Sequence, residues 1–280
     1  MVRNPPFAGV PIGAVRDFWN RRPCNIRHSP REVGTREYFD EVERRKYFVE
    51  PHIPGFAEFE RWQGRTVLEI GCGIGTDTVS FARAGAHVVA VELSEKSAEL
   101  ARRRLEVYGL AGRASVVVGD AESLPDIVPV QPFDLVYSFG VIHHSPHPRR
   151  IVEHVRRYMS AASELRLMVY ARISWKLFWI MREERVWDMN RIDELIARSS
   201  EAQTGCPVTY TYTDRTLREL LDGYEVIDAR KAHIFTWDVD AYRRDEYRKA
   251  PEWAAVSDTE LADLERELGW HFLARARLLS

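Results

Sequence analysis

The sequence predicts an α/β fold: a doubly wound, mostly parallel seven-stranded sheet with a C-terminal antiparallel strand, plus an N-terminal arm and lid insertions. Three observations predict it. Short apolar runs recur between residues 65 and 171, amphipathic stretches separate them, and glycines or acids stand where the runs end. Near-continuous apolar strands alternating with amphipathic helices describe a parallel sheet covered on both faces. Its connections are right-handed crossovers. Ligands in such sheets bind outside the carboxyl ends of the strands, at the switch point.

The elements follow in order. Arg65–Gly71 (RTVLEIG) reads as the first strand and Asp77–Ala84 as the helix after it. His87–Glu92 (HVVAVE) is the second strand. Ser94 is a helix N-cap, after which Ala98, Ala101, Leu105 and Tyr108 recur on one helical face. Ala114–Asp120 and Phe133–Gly140 are the third and fourth strands. Pro148–Met159 is a helix whose proline suits the first turn, and Leu165–Ala171 is the fifth strand. Asp214–Leu221 reads as a helix; Tyr224–Phe235 and Trp270–Leu279 read as the last two strands.

The domain organisation expected is an N-terminal helical arm or cap over residues 1–60, proline-rich around one helical stretch near 36–49. A Rossmann-like domain follows over 61–280, with lid insertions at about 172–212 and 236–268. Hydrophobic residues make up 45% of the chain and charged residues 29%, an ordinary soluble balance. A net charge of −2 gives no global pull toward nucleic acid or acidic lipid, and Arg102-Arg103-Arg104 reads as a solvated helix face. Cys24, Cys72 and Cys206 form no CxxC pair, which points to a reducing compartment. With no apolar leader and no run near the ~20 residues that span a bilayer, a cytoplasmic location is expected.

The first motif is Glu69-Ile70-Gly71-Cys72-Gly73-Ile74-Gly75, between a strand and a helix. Such glycines let the backbone approach a ligand, and the following helix offers free N–H groups. Thr76 and Asp77 replace the tail of the usual dinucleotide fingerprint. The second motif is Glu92, at the end of the second strand, placed to accept hydrogen bonds from ribose hydroxyls. Together these two leave open a nicotinamide cofactor, and with it an NAD(P)-dependent oxidoreductase.

The third motif separates the alternatives. Gly119-Asp120-Ala121, then Leu124-Pro125, then Phe133-Asp134-Leu135-Val136 resembles the class I S-adenosylmethionine-dependent methyltransferases of small-molecule type. The resemblance covers residues 60–171 continuously and the last strands more loosely. It implies that Gly71, Gly73 and Gly75 hold the methionine moiety of S-adenosyl-L-methionine, with Glu69 near its amino group. It implies Glu92, with Leu93 beside it, at the ribose, and Asp120 and Ala121 at the adenine. Ser138, Phe139 and Gly140 would run past the transferable methyl. The NPPY signature of the adenine-N6 and glutamine-amide methyltransferases is missing; the chain reads SFGVIHH there. The function expected is methyl transfer to a small-molecule acceptor, at oxygen or nitrogen. A non-catalytic protein that keeps the cofactor is the remaining alternative.

A hydroxyl or protonated amine acceptor needs a proton acceptor, for which His143, Tyr210 and His233 are the candidates. The competing account of His143 and His144 is that they shape the loop and pack on the sheet. No metal site is read from His143-His144-x-x-His147, because Pro146 interrupts the spacing. Trp175, Phe178, Trp179, Trp187, Tyr210, Tyr212, Phe235 and Trp237 supply either an aromatic acceptor wall or a second small core. The arm segments Asp17–Pro23 and Arg44–Tyr47 are candidates to fold over the cofactor.

Overall fold

The computed structural model describes residues 6–199, 206–244 and 246–279. Its sheet comprises β1 (Thr66–Ile70), β2 (His87–Glu92), β3 (Ala114–Val118), β4 (Leu135–Phe139), β5 (Glu164–Ala171), β6 (Thr211–Tyr212), β7 (Tyr224–Ala232) and β8 (His271–Leu278). The order is β3-β2-β1-β4-β5-β8-β7, with β6 paired to β5 off this path. Every pairing is parallel except the two made by β8, which runs antiparallel to β5 and to β7. The doubly wound sheet is as expected, with one strand more than the seven anticipated. That strand is only two residues long, too short to leave a periodic signal.

The helices are α1 (Ile12–Arg21), α2 (Arg36–Val49), α3 (His52–Ala57), α4 (Thr76–Arg83), α5 (Glu95–Val107), α6 (Leu124–Ile127), α7 (Pro148–Val155), α8 (Trp175–Glu184), α9 (Ile192–Ser199), α10 (Asp214–Leu220), α11 (Val239–Arg243) and α12 (Asp258–Leu268). Strand pleating sends alternate residues to opposite faces. Val67 of β1 joins Val79, Phe81, Ala98 and Ala101 in the core under α4 and α5. Leu68 and Ile70 join Val152, Val155 and Leu217 in the core under α7 and α10. Ser94 caps α5 by accepting a hydrogen bond from the Ser97 amide at 3.1 Å. Asp134 ties the starts of β1 and β4 together, its carboxylate accepting from the Thr66 amide at 2.8 Å and the Thr66 hydroxyl at 2.9 Å.

Two helices of the arm escape a reading that treats proline as a breaker. Pro11 is the N-cap of α1, and Pro54 lies in the first turn of α3, where a missing N–H costs no helical bond. The arm is bolted down by Arg104, which is fully buried rather than solvated. Its guanidinium donates to the Thr76 hydroxyl at 2.6 Å, the Phe39 carbonyl at 3.1 Å and Glu43 at 3.1 Å. β7 ends three residues earlier than the apolar pattern suggests, because His233 turns to φ 72° and leaves the ladder. Among the described residues, no helix is long and apolar enough to cross a membrane.

Candidate functional site

The parallel strands β1, β2, β3, β4 and β5 end on one rim, and the antiparallel β8 begins there. His271, the first residue of β8, pairs in register with Tyr170 near the end of β5. A cavity of about 340 Å³ runs along this rim, within the range of small-molecule sites. Its wall includes Gly71, Cys72 and Gly73 after β1, Glu92 and Leu93 at the end of β2, and Gly119, Asp120 and Ala121 after β3. Phe139, Gly140 and Val141 line it after β4, and Met168, Tyr170 and His271 from β5 and β8.

The glycine loop is held by the strand beside it. The Gly71 and Cys72 amides both donate to the Val91 carbonyl, at 2.7 and 3.2 Å. Gly71 has φ 78°, and a Cβ there would lie 2.3 Å from the Val141 methyls. Gly73 has φ 55°, and a Cβ there would meet open space. The loop thus brings bare backbone to the cavity. Glu92 fixes it from below: its carboxylate accepts from the Gly73 amide at 2.7 Å and the Ser94 amide at 2.9 Å. Burial raises the Glu92 pKa against the pull of these amides. Each oxygen keeps a further lone pair for a ligand hydroxyl. Asp120 accepts from the Glu122 amide at 2.8 Å through one oxygen, and burial raises its pKa too. Glu122 in turn accepts from the Ser145 hydroxyl and from the His147 amide at 3.1 Å, tying the loop after β3 to the loop after β4.

Three of the expected cofactor residues stand behind this wall. Ser138 is fully buried and donates to the Ile70 carbonyl at 3.1 Å. Gly75 packs against Ala101 of α5. Glu69 points under the loop, where it accepts from the Thr78 hydroxyl at 2.5 Å. Burial first, and then the Asp77 charge, push the Glu69 pKa up to about 8.

The three base candidates are also displaced from the wall. His143 is fully buried, its ring 3.9 Å from that of Tyr170 and 4.2 Å from that of His144. Neither of its ring nitrogens has a hydrogen-bond partner, and burial holds its pKa well below the usual range. Tyr210 turns its hydroxyl to the Pro146 carbonyl at 3.2 Å and packs its ring T-shaped against Phe7. His233 lies one ring behind the wall, 4.7 Å from His271. Burial lowers its pKa to about 4 and that of His52 to about 3, so these imidazoles are neutral at pH 7.

Other groups complete the cavity from the arm and the lid. Ile12, Val15 and Trp19 of α1 lie over it, and Tyr242 of α11 reaches it. Asn20 pins α1 to the start of α5, donating to Glu95 at 2.7 Å and accepting from the Ser94 hydroxyl at 2.7 Å. From α2 come Lys46 and, just past its end, Glu50. The Lys46 ammonium donates to Asp77 at 2.7 Å. Burial opposes its charge, but Asp77 and Glu50 outweigh burial and hold its pKa above the ordinary value. Lys46 lies in an arm segment singled out from sequence, whereas His271 and Glu50 were missed. A signal for His271 existed. An antiparallel strand brings its amino end, not its carboxyl end, to the ligand rim of a parallel sheet.

Comparison with known proteins agrees with this geometry. Residues 67–161 match a family described as "Methyltransferase domain". The chain is 36% identical over 93 residues to the ubiquinone biosynthesis O-methyltransferase of Bordetella parapertussis, covering 32% of this chain and 36% of that protein. It is 34% identical over 116 residues to the polyketide synthase ThaQ of Burkholderia thailandensis, covering 41% of this chain and 5% of that protein. The chain therefore spans little more than a third of the O-methyltransferase and a small fraction of the synthase. Among solved structures, it is similar to the magnesium protoporphyrin IX methyltransferase of Synechocystis with bound SAH, with TM-score 0.59 and 15% identity, over 96% of this chain and all of that one. It is also similar to the mitomycin 7-O-methyltransferase, with TM-score 0.55 and 16% identity, over 87% of this chain and 57% of that one. At these identities the solved structures show a shared fold.

Proposed function

We propose that this protein, whose residues 67–161 match a methyltransferase domain, is a class I Rossmann-like methyltransferase that transfers the sulfonium methyl of S-adenosylmethionine to a hydroxyl oxygen of a small molecule. One observation carries the reading: the loop after β1, Glu92 at the end of β2 and Asp120 after β3 line the same cavity. The bare backbone at Gly73 and the spare lone pairs of Glu92 fit an adenosyl ligand with a ribose diol. The choice of oxygen draws on the O-methyltransferase relatives.

The family resemblance gives the polarity of the ligand along the rim, and the order of strands there supports it. Asp120 and Ala121 would hold the adenine, Glu92 and Leu93 the ribose, and Gly71 and Gly73 the methionine part. Phe139 and Gly140 would flank the methyl. The bound cofactor supplies an activated methyl whose departure leaves sulfur neutral. The protein's share is alignment of the acceptor oxygen and exclusion of water. Residues 1–60 serve as the cap, through α1 and α2, and the insertions at 172–212 and 236–268 as lids; within these, residues 1–5, 200–205 and 245 lie outside the described ones. The acceptor end is the wall beyond Phe139, where Tyr170, Lys46, Glu50 and His271 stand. Glu50 and His271, with His233 behind, take the acceptor chemistry in place of His143 and Tyr210.

Incubation with methyl-tritiated S-adenosylmethionine and a panel of phenols and alcohols tests this. Label in an ether product is expected. Binding of NAD with no binding of S-adenosylhomocysteine would overturn the reading in favour of an oxidoreductase.

A further inference from the structure

Around the acceptor end, four side chains from three distant parts of the chain converge. Glu50 follows α2, His52 opens α3, His233 follows β7 and His271 opens β8. One ligand atom each from Glu50, His233 and His271 lies within 4.8 Å of the others. Glu50 Oε1 and His271 Nε2 stand 3.6 Å apart. A charge-assisted hydrogen bond would draw such atoms to about 2.7–2.9 Å. Two ligands held ~2.1 Å from one tetrahedral ion stand about 3.4 Å apart. We propose that Glu50, His233 and His271 form a binding site for one divalent transition-metal ion of the zinc class.

The surroundings suit that role. His52 Nε2 lies 3.0 Å from His271 Nδ1, a hydrogen bond that fixes the His271 ring and leaves its Nε2 toward Glu50. Metal-binding histidines are commonly oriented by such a bond from the other ring nitrogen. His233 is held at φ 72°, a costly conformation for a residue with a β-carbon. Its carbonyl accepts from the Trp270 amide at 2.9 Å and the Trp175 indole at 3.0 Å, which fix it there. Two imidazoles and one carboxylate select a borderline ion over magnesium or calcium, which prefer all-oxygen sites. The nearby cations do not oppose the ion strongly: Lys46 is paired with Asp77, and Lys176 lies over the Trp179 ring. Three protein ligands leave a fourth position. Glu50 and His271 line the cavity and His233 stands behind, so an ion held by the three would border the proposed acceptor end. Coordination of the acceptor oxygen there rests on the function proposed above; the metal site does not.

Chelator-stripped, tag-free protein titrated with Co²⁺, without methyl donor or acceptor, provides the test. One equivalent of Co²⁺ should produce a visible d–d band that Zn²⁺ abolishes. Affinity should fall more than about tenfold in both Glu50→Gln and His233→Ala. His147→Ala, in a loop outside the cluster, should titrate as the parent does. Glu50 is partly exposed at the end of a helix, so Glu50→Gln keeps the test open where His233→Ala unfolds. Absence of the band in the parent, or an undiminished band in Glu50→Gln, would overturn the proposal. Metal binding without methyl transfer would instead count against the function alone.

Discussion

The Lys46 ammonium of α2 lies 2.7 Å from the Asp77 carboxylate of α4, and the Asp77 side chain is 3% exposed. Asp77 also accepts from the hydroxyls of Tyr47 at 2.9 Å and Tyr137 at 3.0 Å. The pair joins the arm to the first helix after the glycine loop. Lys46→Met removes the cation and leaves a buried carboxylate close to Glu69. Truncating one partner of a buried pair costs about 3–5 kcal/mol, and the two tyrosines place this case near the lower end. Urea unfolding of the variant at pH 7 should show a loss of about 3 kcal/mol.

Glu69 gives the protein a pH dependence of defined sign. Its folded pKa is raised from 4.5 to about 8 by burial and by Asp77. The folded state therefore loses stability relative to the unfolded chain as pH rises from about 4.5 to about 8. Glu69→Gln removes the titration and keeps the acceptor for the Thr78 hydroxyl. The variant's stability relative to the parent should improve between pH 5 and pH 8 in denaturant titrations. A constant difference across that interval would contradict the assignment.

Two glycines of one loop should fail in different ways. Gly71→Ala places a methyl 2.3 Å from the Val141 side chain at φ 78°, so overpacking adds to a left-handed backbone. A stability loss of about 2–4 kcal/mol is expected. Gly73→Ala meets open space, so its folding cost is about 1–2 kcal/mol from the backbone alone. Its methyl stands at the cavity wall and should weaken S-adenosylhomocysteine binding in calorimetry by more than its effect on melting temperature suggests.

Asn20→Ala tests the cap. The side chain joins α1 to Ser94 and Glu95 through two 2.7 Å hydrogen bonds, in a mostly exposed setting. Global stability should change by about 1 kcal/mol. Hydrogen exchange of the α1 amides should rise far more than that of β1. Protection of α1 equal to the parent's would show that the cap is held by Val15 and Trp19 instead.

Much of the central sheet was legible because its strands are buried on both faces and announce themselves as apolar runs. Part of the cavity wall was legible for a related reason: Gly73, Glu92 and Asp120 sit at strand carboxyl ends, where chain order and rim order coincide. The wall beyond Phe139 was not. His52 opens α3, whose Pro54 looks like a breaker, and Glu50 sits in the short link before it, although Lys46 lay in a segment the sequence singled out. His271 enters from an antiparallel strand, and His233 turns inward only because its backbone leaves the β7 ladder at positive φ. Arg104 looked solvated because sequence periodicity cannot reveal an arm that folds back over a helix. His143 stood out for its chemistry, yet its position under Tyr170 depends on β5 and β8, which are remote in sequence.

The central claim is that three strand ends grip one adenosyl ligand, and isothermal titration with S-adenosylhomocysteine tests it most directly. The parent should bind with 1:1 stoichiometry, while Glu92→Ala and Asp120→Ala should each lose about tenfold or more in affinity, as expected for a lost charge-assisted hydrogen bond of about 1.5–3 kcal/mol. Absence of heat with the parent, or affinity in both variants equal to the parent's, would contradict it.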